Sequence, residues 1–410
     1  MKKRSWIVIL TSAAFLLFLC IGTLLTPEVG FSENENRYLQ KKPDLTITNV
    51  LSGRFEEQSE KYLNDQIIGR DLWVRSMAAT EAALGVGDIN GVYLCRDGRV
   101  VKRVTETDFD RDRYHKNLKQ TAQLAERCEK NGSRFYAMLV PTAAYVYQND
   151  LPDHAMRFDE DQAFADAEAA LGSRLIDLRA ALAGAVQDGS AARESADGGV
   201  FFRTDHHWSG YGAYLGYVGF WKARAGLQEN VHASTANEGE APAAGGGLAV
   251  KAAPTYAELA PTVLADDFYG TLYSKVLLTT LTRDSVETPG GALAAQCTVS
   301  LNGKTYDSLY FNEYLNKKDK YAVFFGGNYD RVDIQTCRES KCGVKDKILI
   351  IKDSFANSFV PYILNDYDEI TMIDTRYYRG SVEELAQDYG EVLVLYGIDN
   401  FAGEKLKLDY

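Results

Sequence analysis

Excess basic charge is what this sequence lacks: 45 Lys plus Arg stand against 57 Asp plus Glu, a net charge of −12. Such a surface repels the phosphates of nucleic acid and of anionic lipid headgroups, so no nucleic-acid partner is expected. Cysteine is scarce as well. Beyond the first 26 residues stand Cys95, Cys128, Cys297, Cys337 and Cys342, an odd set in a long chain and not the framework of a disulfide-stapled protein. Cys337 and Cys342 are near enough to close a small loop, with two ordinary thiols as the other reading. No His or second Cys pair stands near them to suggest zinc, and no metal is expected. No internal repeat is evident, and a mean hydropathy of −0.26 excludes a polytopic membrane protein.

One apolar run departs from that average. Ser5 to Thr26 is 22 residues without a charge. At about 1.5 Å per residue it is roughly 33 Å long, enough to cross a bilayer once. Lys2, Lys3 and Arg4 precede it and Glu28, Glu33 and Glu35 follow. The positive-inside rule then puts a cytoplasmic tip and anchor in residues 1–26 and the bulk of the chain outside the membrane. A cleaved signal, giving a secreted protein, is the alternative, although no small-x-small cleavage site is clear. A buried core helix is the third reading.

After a polar tether, Phe55 to Leu63 and Leu72 to Leu84 carry apolar residues at helical spacing. A strand pair starts at Val92, turning at Arg96-Asp97-Gly98-Arg99. These make residues 27–104 a helical extension with a hairpin. From 105 to 410 strands and helices alternate. Asp108–Lys130, Asp161–Leu171, Ser209–Arg224, Phe355–Leu364 and Val382–Asp388 read as helices. Phe135–Val140, Leu175–Leu178, Lys347–Lys352, Glu369–Ile373 and Glu391–Tyr396 read as strands. The pattern predicts an α/β domain with a mostly parallel sheet covered by helices on both faces. The Ala- and Gly-rich stretch 233–253 reads as a flexible insertion.

Chemistry concentrates at three places. In Thr204-Asp205-His206-His207-Trp208, preceded by strand-like Val200 to Arg203, an extended backbone would put Asp205 and His207 on one face and His206 on the other. A carboxylate beside an imidazole can fix its tautomer and stabilise the imidazolium; a satisfied His in a turn is the plain alternative. In Lys347 to Ser358 an aliphatic strand ends at Asp353-Ser354 and a helix starts at once, so Ser354 is placed at the C-terminal sheet edge where α/β folds bind ligands. Backbone N–H groups there can hold an oxyanion, and an N-cap serine is the structural alternative. Tyr321 to Tyr329 reads as a strand ending in Gly326-Gly327-Asn328, with Asn328 able to donate an amide N–H. Asp374, Arg376, Tyr377 and Tyr378 reach the same edge, and with Trp208 could form an aromatic wall for a sugar.

At these residues the sequence resembles the DHHW family, within the SGNH-hydrolase-like group that includes the alginate O-acetylation proteins. The matching segments are Glu35 to Arg37 with Asp65 to Arg70, Asp205 to Trp208, Asp267 to Lys275, Phe325 to Asn328 and Ile351 to Pro361. The resemblance implies an SGNH-like fold with Asp205 as orienting acid, His207 as base and Ser354 as nucleophile, in an order unlike common SGNH hydrolases. Lys352 stands where those enzymes have Gly before Asp-Ser, so Asn328 alone is carried over as an oxyanion candidate. It further implies an extracytoplasmic O-acetyltransferase acting on a polysaccharide, without a cofactor, supplied with acetyl groups by a membrane-bound O-acyltransferase. A carbohydrate esterase with the same triad and a non-catalytic glycan-binding or export-complex protein remain the alternatives.

Overall fold

The computed structural model describes residues 2–32, 37–226, 253–336 and 346–408. Cys337, Cys342, Glu33, Glu35, Asn36 and residues 233–252 of the Ala- and Gly-rich stretch lie outside them. An eight-stranded sheet runs in the spatial order Lys304–Tyr306, Cys297–Leu301, Arg331–Thr336, Glu369–Ile373, Lys347–Lys352, Glu391–Gly397, Arg134–Val140, Leu175–Asp177. The strands from Glu369–Ile373 to Leu175–Asp177 pair in parallel. The other three add on antiparallel.

The sheet is therefore mixed, and the expectation of a mostly parallel one holds for the half that the βαβ alternation describes. At the other end Asn302 and Gly303, with φ of 50° and 70°, make a two-residue turn between Cys297–Leu301 and Lys304–Tyr306. Both φ values are positive, as a tight hairpin of this twist requires, and Asn-Gly is the pair that tolerates them best. An antiparallel hairpin follows directly from that dipeptide.

Alternation along the parallel strands fills both faces, because successive side chains point to opposite sides. Met138, Val140, Ile348, Ile350, Leu393 and Leu395 join one core with Phe220 of helix Gly210–Arg224 and Phe359 of helix Ala356–Ile363. Leu139, Leu349, Ile351, Val392 and Val394 join the other with Leu118 and Leu124 of helix Arg111–Lys130 and Phe164 of helix Glu160–Leu171. Helices thus cover both faces, with boundaries within a few residues of those the periodicity predicts.

Before the sheet, helix Lys2–Leu25 contains a window, Trp6–Leu25, with a mean hydropathy of 2.5, long and apolar enough to cross a membrane. Helices Arg54–Gln66 and Arg70–Ala83 come next, then a three-stranded antiparallel sheet turning at residues 96–99. Ala78, Val92 and Val100 bury against Leu272, Val276 and Leu277.

Candidate active site

Strand Lys347–Lys352 delivers Asp353 and Ser354 to the C-terminal edge of the parallel half, and helix Ala356–Ile363 departs from there. Asp353 is fully buried and shapes the turn: its carboxylate accepts from the N–H groups of Phe355 (2.9 Å) and Gly397 (2.8 Å) and from Asn400 Nδ2 (2.8 Å). Burial pushes its pKa up to about 6, against these three donors.

The imidazole arrives from the other side on a loop. Val200 to Arg203 is not a strand; the segment folds back as a tight loop closed by a lone bridge between Phe201 and Trp208, with Phe202 N–H donating to His207 O. His207 Nδ1–H donates to Asp205 Oδ1 at 2.6 Å, which leaves Nε2 as the acceptor, and Ser354 Oγ lies 2.7 Å from it. Asp205 Oδ2 is held by Thr271 N–H (2.7 Å) and Oγ1 (3.0 Å). Gly270 must lack a side chain because a Cβ there would sit 2.2 Å from Asp205 Cβ. Although burial acts to raise the Asp205 pKa, His206, His207 and Thr271 outweigh it and hold the carboxyl well below the usual range.

Because the loop is bent rather than extended, His206 does not point away from His207. The two rings lie 3.9 Å apart, with His206 Nδ1 2.9 Å from Thr271 Oγ1. Burial, then the neighbouring His207, pushes the His206 pKa down to about 4. His206 lines a shallow cleft with Lys102, Thr142, Phe355 and Asp399. Tyr321 stacks on His207 at 3.9 Å and donates from its hydroxyl to Ser354 O at 2.8 Å.

Of the remaining candidates, Asn328 is joined to the serine segment indirectly. Its Oδ1 accepts from Lys352 Nζ (2.8 Å) and Asn357 Nδ2 (3.3 Å), so its amide NH₂ has no protein partner among the described residues. Residues 321–323 form a 3₁₀ turn rather than the expected strand, and the chain passes through positive φ at Phe325, Gly326 and Gly327 to present Asn328. Lys352 is buried, with Nζ also donating to Asn357 Oδ1 at 2.8 Å, and burial pushes its pKa down to about 8. Trp208 offers no face to a sugar: it is fully buried, and its indole N–H donates to Phe355 O and Ser358 Oγ. Arg376 follows strand Glu369–Ile373 as expected but is taken up by Asp374 and Glu404. Tyr378 packs half-buried against the second core, and among the described residues no hydrogen bond joins it to Ser354, His207 or Asn328.

Asp205, His206 and His207 present ligand-type atoms within 4.8 Å of one another. Those of Asp205 and His207 are already taken up by each other, by Thr271 and by Ser354. Sequence reasoning assigned no role to Thr271, Gly270 or Tyr321. The first two lie inside the matching segment Asp267 to Lys275, the one signal that could have found them.

A strand-end serine thus faces a His-Asp loop across the C-terminal edge of an α/β sheet. Residues 101–265 match the family described as ALGX, the SGNH hydrolase-like domain of acetyltransferase AlgX, a stretch that holds Asp205 and His207 and ends before Ser354. The chain is 28% identical over 178 residues to the probable alginate O-acetylase AlgJ of Pseudomonas syringae pv. tomato, covering 40% of this chain and 41% of that protein. Among solved structures, a DHHW family protein from Eubacterium siraeum superposes with a TM-score of 0.54 at 20% identity, over 77% of this chain and 93% of that one. Bacillus cereus PatB1, solved with a sulfonyl adduct, superposes with a TM-score of 0.57 at 19% identity, over 78% and 100%. At these identities the solved structures speak for the fold.

Proposed function

We propose that the protein is an extracytoplasmic O-acetyltransferase that acetylates a cell-envelope or secreted polysaccharide through Ser354, His207 and Asp205. The observation that carries this reading is the unbroken chain of hydrogen bonds, 2.6 Å from Asp205 to His207 and 2.7 Å from His207 to Ser354. The match of residues 101–265 to an acetyltransferase domain supports transfer as the chemistry.

In the first half-reaction Ser354 Oγ attacks the acetyl carbonyl while His207 Nε2 takes its proton. Asp205 stabilises the imidazolium so formed. The tetrahedral oxyanion would meet the free amide N–H of Asn328, a donor that Lys352 and Asn357 hold in place before the reaction starts. Collapse expels the leaving group, which takes the proton from His207, and leaves acetyl-Ser354. In the second half His207 takes the proton of a sugar hydroxyl as its oxygen attacks acetyl-Ser354, and Ser354 recovers its own. The apolar helix at the start of the chain would anchor the domain outside the membrane, next to a membrane-bound O-acyltransferase that supplies the acetyl group.

The test is turnover of an activated acetyl ester by the full chain, with and without oligosaccharide. Acetylated sugar formed at the expense of free acetate supports transfer, and unchanged acetate release makes the protein an esterase. Ser354→Ala should lower turnover by about 10³-fold or more. A sulfonyl fluoride should modify Ser354, seen as a mass shift of its peptide. A Ser354→Ala protein with full turnover would sink both catalytic readings and leave a scaffolding role.

A further inference from the structure

Helix Arg70–Ala83 keeps its charged residues partly covered and shows its apolar side. Leu72, Trp73 and Met77 are 64%, 44% and 60% exposed, Leu84 just beyond its end is 77% exposed, and every exposed position of the helix is uncharged. Arg70, Asp71, Arg75 and Glu81 are the half-buried ones. A helix lying on a water-soluble domain has the reverse arrangement. The preceding helix shows what water selects on the same part of the chain: Arg54–Gln66 exposes Arg54, Glu56, Glu57, Glu60 and Lys61.

Two polar side chains on the apolar face close on the backbone. Trp73 Nε1–H donates to Ile68 O at 3.0 Å, and Thr80 Oγ1–H donates to Ser76 O at 2.7 Å. Such local closure is what a surrounding without water demands, since an unpaired donor costs several kcal/mol in hydrocarbon.

The neighbouring element says what that surrounding is. The candidate span Lys2–Leu25 touches this helix at its start. Phe15 meets Trp73 edge-on with centroids 6.2 Å apart, Ile68 N–H donates to Thr23 Oγ1 at 3.1 Å, and the Ile68 side chain lies over Gly22. Phe15 is roughly 15 Å along the span from its Leu25 end, at about 1.5 Å per residue. A ring packed on Phe15 therefore lies beside a stretch that hydrocarbon would surround.

The geometry points to lipid acyl chains as the occupant of this face: helix Arg70–Ala83 is a second, non-spanning membrane contact, seated in the outer leaflet beside the span. The inference rests on reading Lys2–Leu25 as a membrane anchor. A single span on a polar tether would let the domain swing, whereas two contacts at different positions fix its orientation and the height of Ser354 above the bilayer.

Tryptophan quenching by brominated phosphatidylcholine in nanodiscs tests it on the full chain. Trp6→Phe with Trp221→Phe leaves Trp73 beside the buried Trp208, and Trp73→Phe with Trp221→Phe leaves Trp6 beside it. Both proteins should lose emission in brominated discs relative to unbrominated ones. Adding Met77→Glu and Leu84→Glu to the first should remove its quenching while circular dichroism stays unchanged. Quenching of Trp6 without Trp73 overturns the lipid contact and gives the face to a protein partner. Quenching of Trp73 without Trp6 keeps the lipid contact and removes the span. No quenching of either removes both readings.

Discussion

Adjacent in the chain, His206 and His207 have surroundings that give their loss different consequences. His207 is fixed by Asp205, stacked by Tyr321 and bonded to Ser354, whereas His206 Nδ1 is bonded to Thr271 and lies 3.4 Å from Asp205 Oδ1 while its ring faces the cleft. His207→Ala should therefore cost about 10³-fold in kcat, and His206→Ala much less, with a larger share in KM. Steady-state kinetics on both variants, with matched melting curves, checks the split. Lys352 makes a sharper case. Its Nζ pins Asn328 Oδ1 and Asn357 Oδ1, so Lys352→Met removes the shorter of the two bonds on Asn328 Oδ1 and leaves the 3.3 Å bond from Asn357 Nδ2, loosening the amide while filling a similar volume. A fall in kcat of about 10- to 100-fold with little change in KM is expected if that amide serves the oxyanion. An unchanged kcat would remove Asn328 from the site. Asp205, His207 and Ser354 were legible in the sequence as candidates by residue type and placement, and the structure brings them within hydrogen-bonding distance of one another. Thr271 and Tyr321 were not, since what they supply is a backbone N–H and a ring face brought in from distant segments.

Among the elements, the loop Phe201–Trp208 differs most from its sequence reading. Alternation on a strand put Asp205 and His207 together and His206 opposite; the bent loop keeps the first pairing and breaks the second, because the Asp205 carboxylate also accepts from His207 N–H at 3.0 Å and closes the turn on itself. Trp208 then fastens this loop to the serine helix by its two indole hydrogen bonds. Trp208→Phe would leave Phe355 O and Ser358 Oγ without that donor in a closed core, at about 1–3 kcal/mol. A lower Tm should come with a loss of kcat larger than the folded fraction explains, measured at a temperature where the variant remains folded. Loss of stability alone would make Trp208 a core residue with no hold on the Ser354–His207 distance. The Asn302-Gly303 hairpin shows the opposite lesson: the dipeptide states an antiparallel turn outright, and the strand alternation elsewhere drew the reading toward a mostly parallel sheet.

For the whole molecule, buried carboxyl groups set how stability responds to pH. Glu160 accepts from Thr142 N–H and Oγ1 inside the fold, and burial pushes its pKa up to about 8. Asp197 is likewise pushed up to about 8 and Asp284 to about 6, burial first in both. The folded state holds these protons more tightly than the unfolded chain, in which carboxyls titrate near ~4. Their contribution to stability is then complete in acid and is lost as pH rises from ~4 toward 8. Asp205, held low, acts with the opposite sign and only in stronger acid. Tm should fall by several °C between pH 5 and 8, and Glu160→Gln should flatten that slope; a Tm that rises across the window would contradict the assignment.

By itself the sequence determined the apolar run, the strand–helix alternation, and the Asp, His and Ser that are the candidates for the chemistry, because each of these is written in residue type and local spacing. Only the tertiary structure decided that three antiparallel strands extend the sheet, that Trp208 is a buried fastener, that Lys352 holds an asparagine, and that one helix turns its apolar side outward beside the apolar N-terminal helix. Those outcomes depend on which distant segments come to lie against each other, and local spacing does not record that.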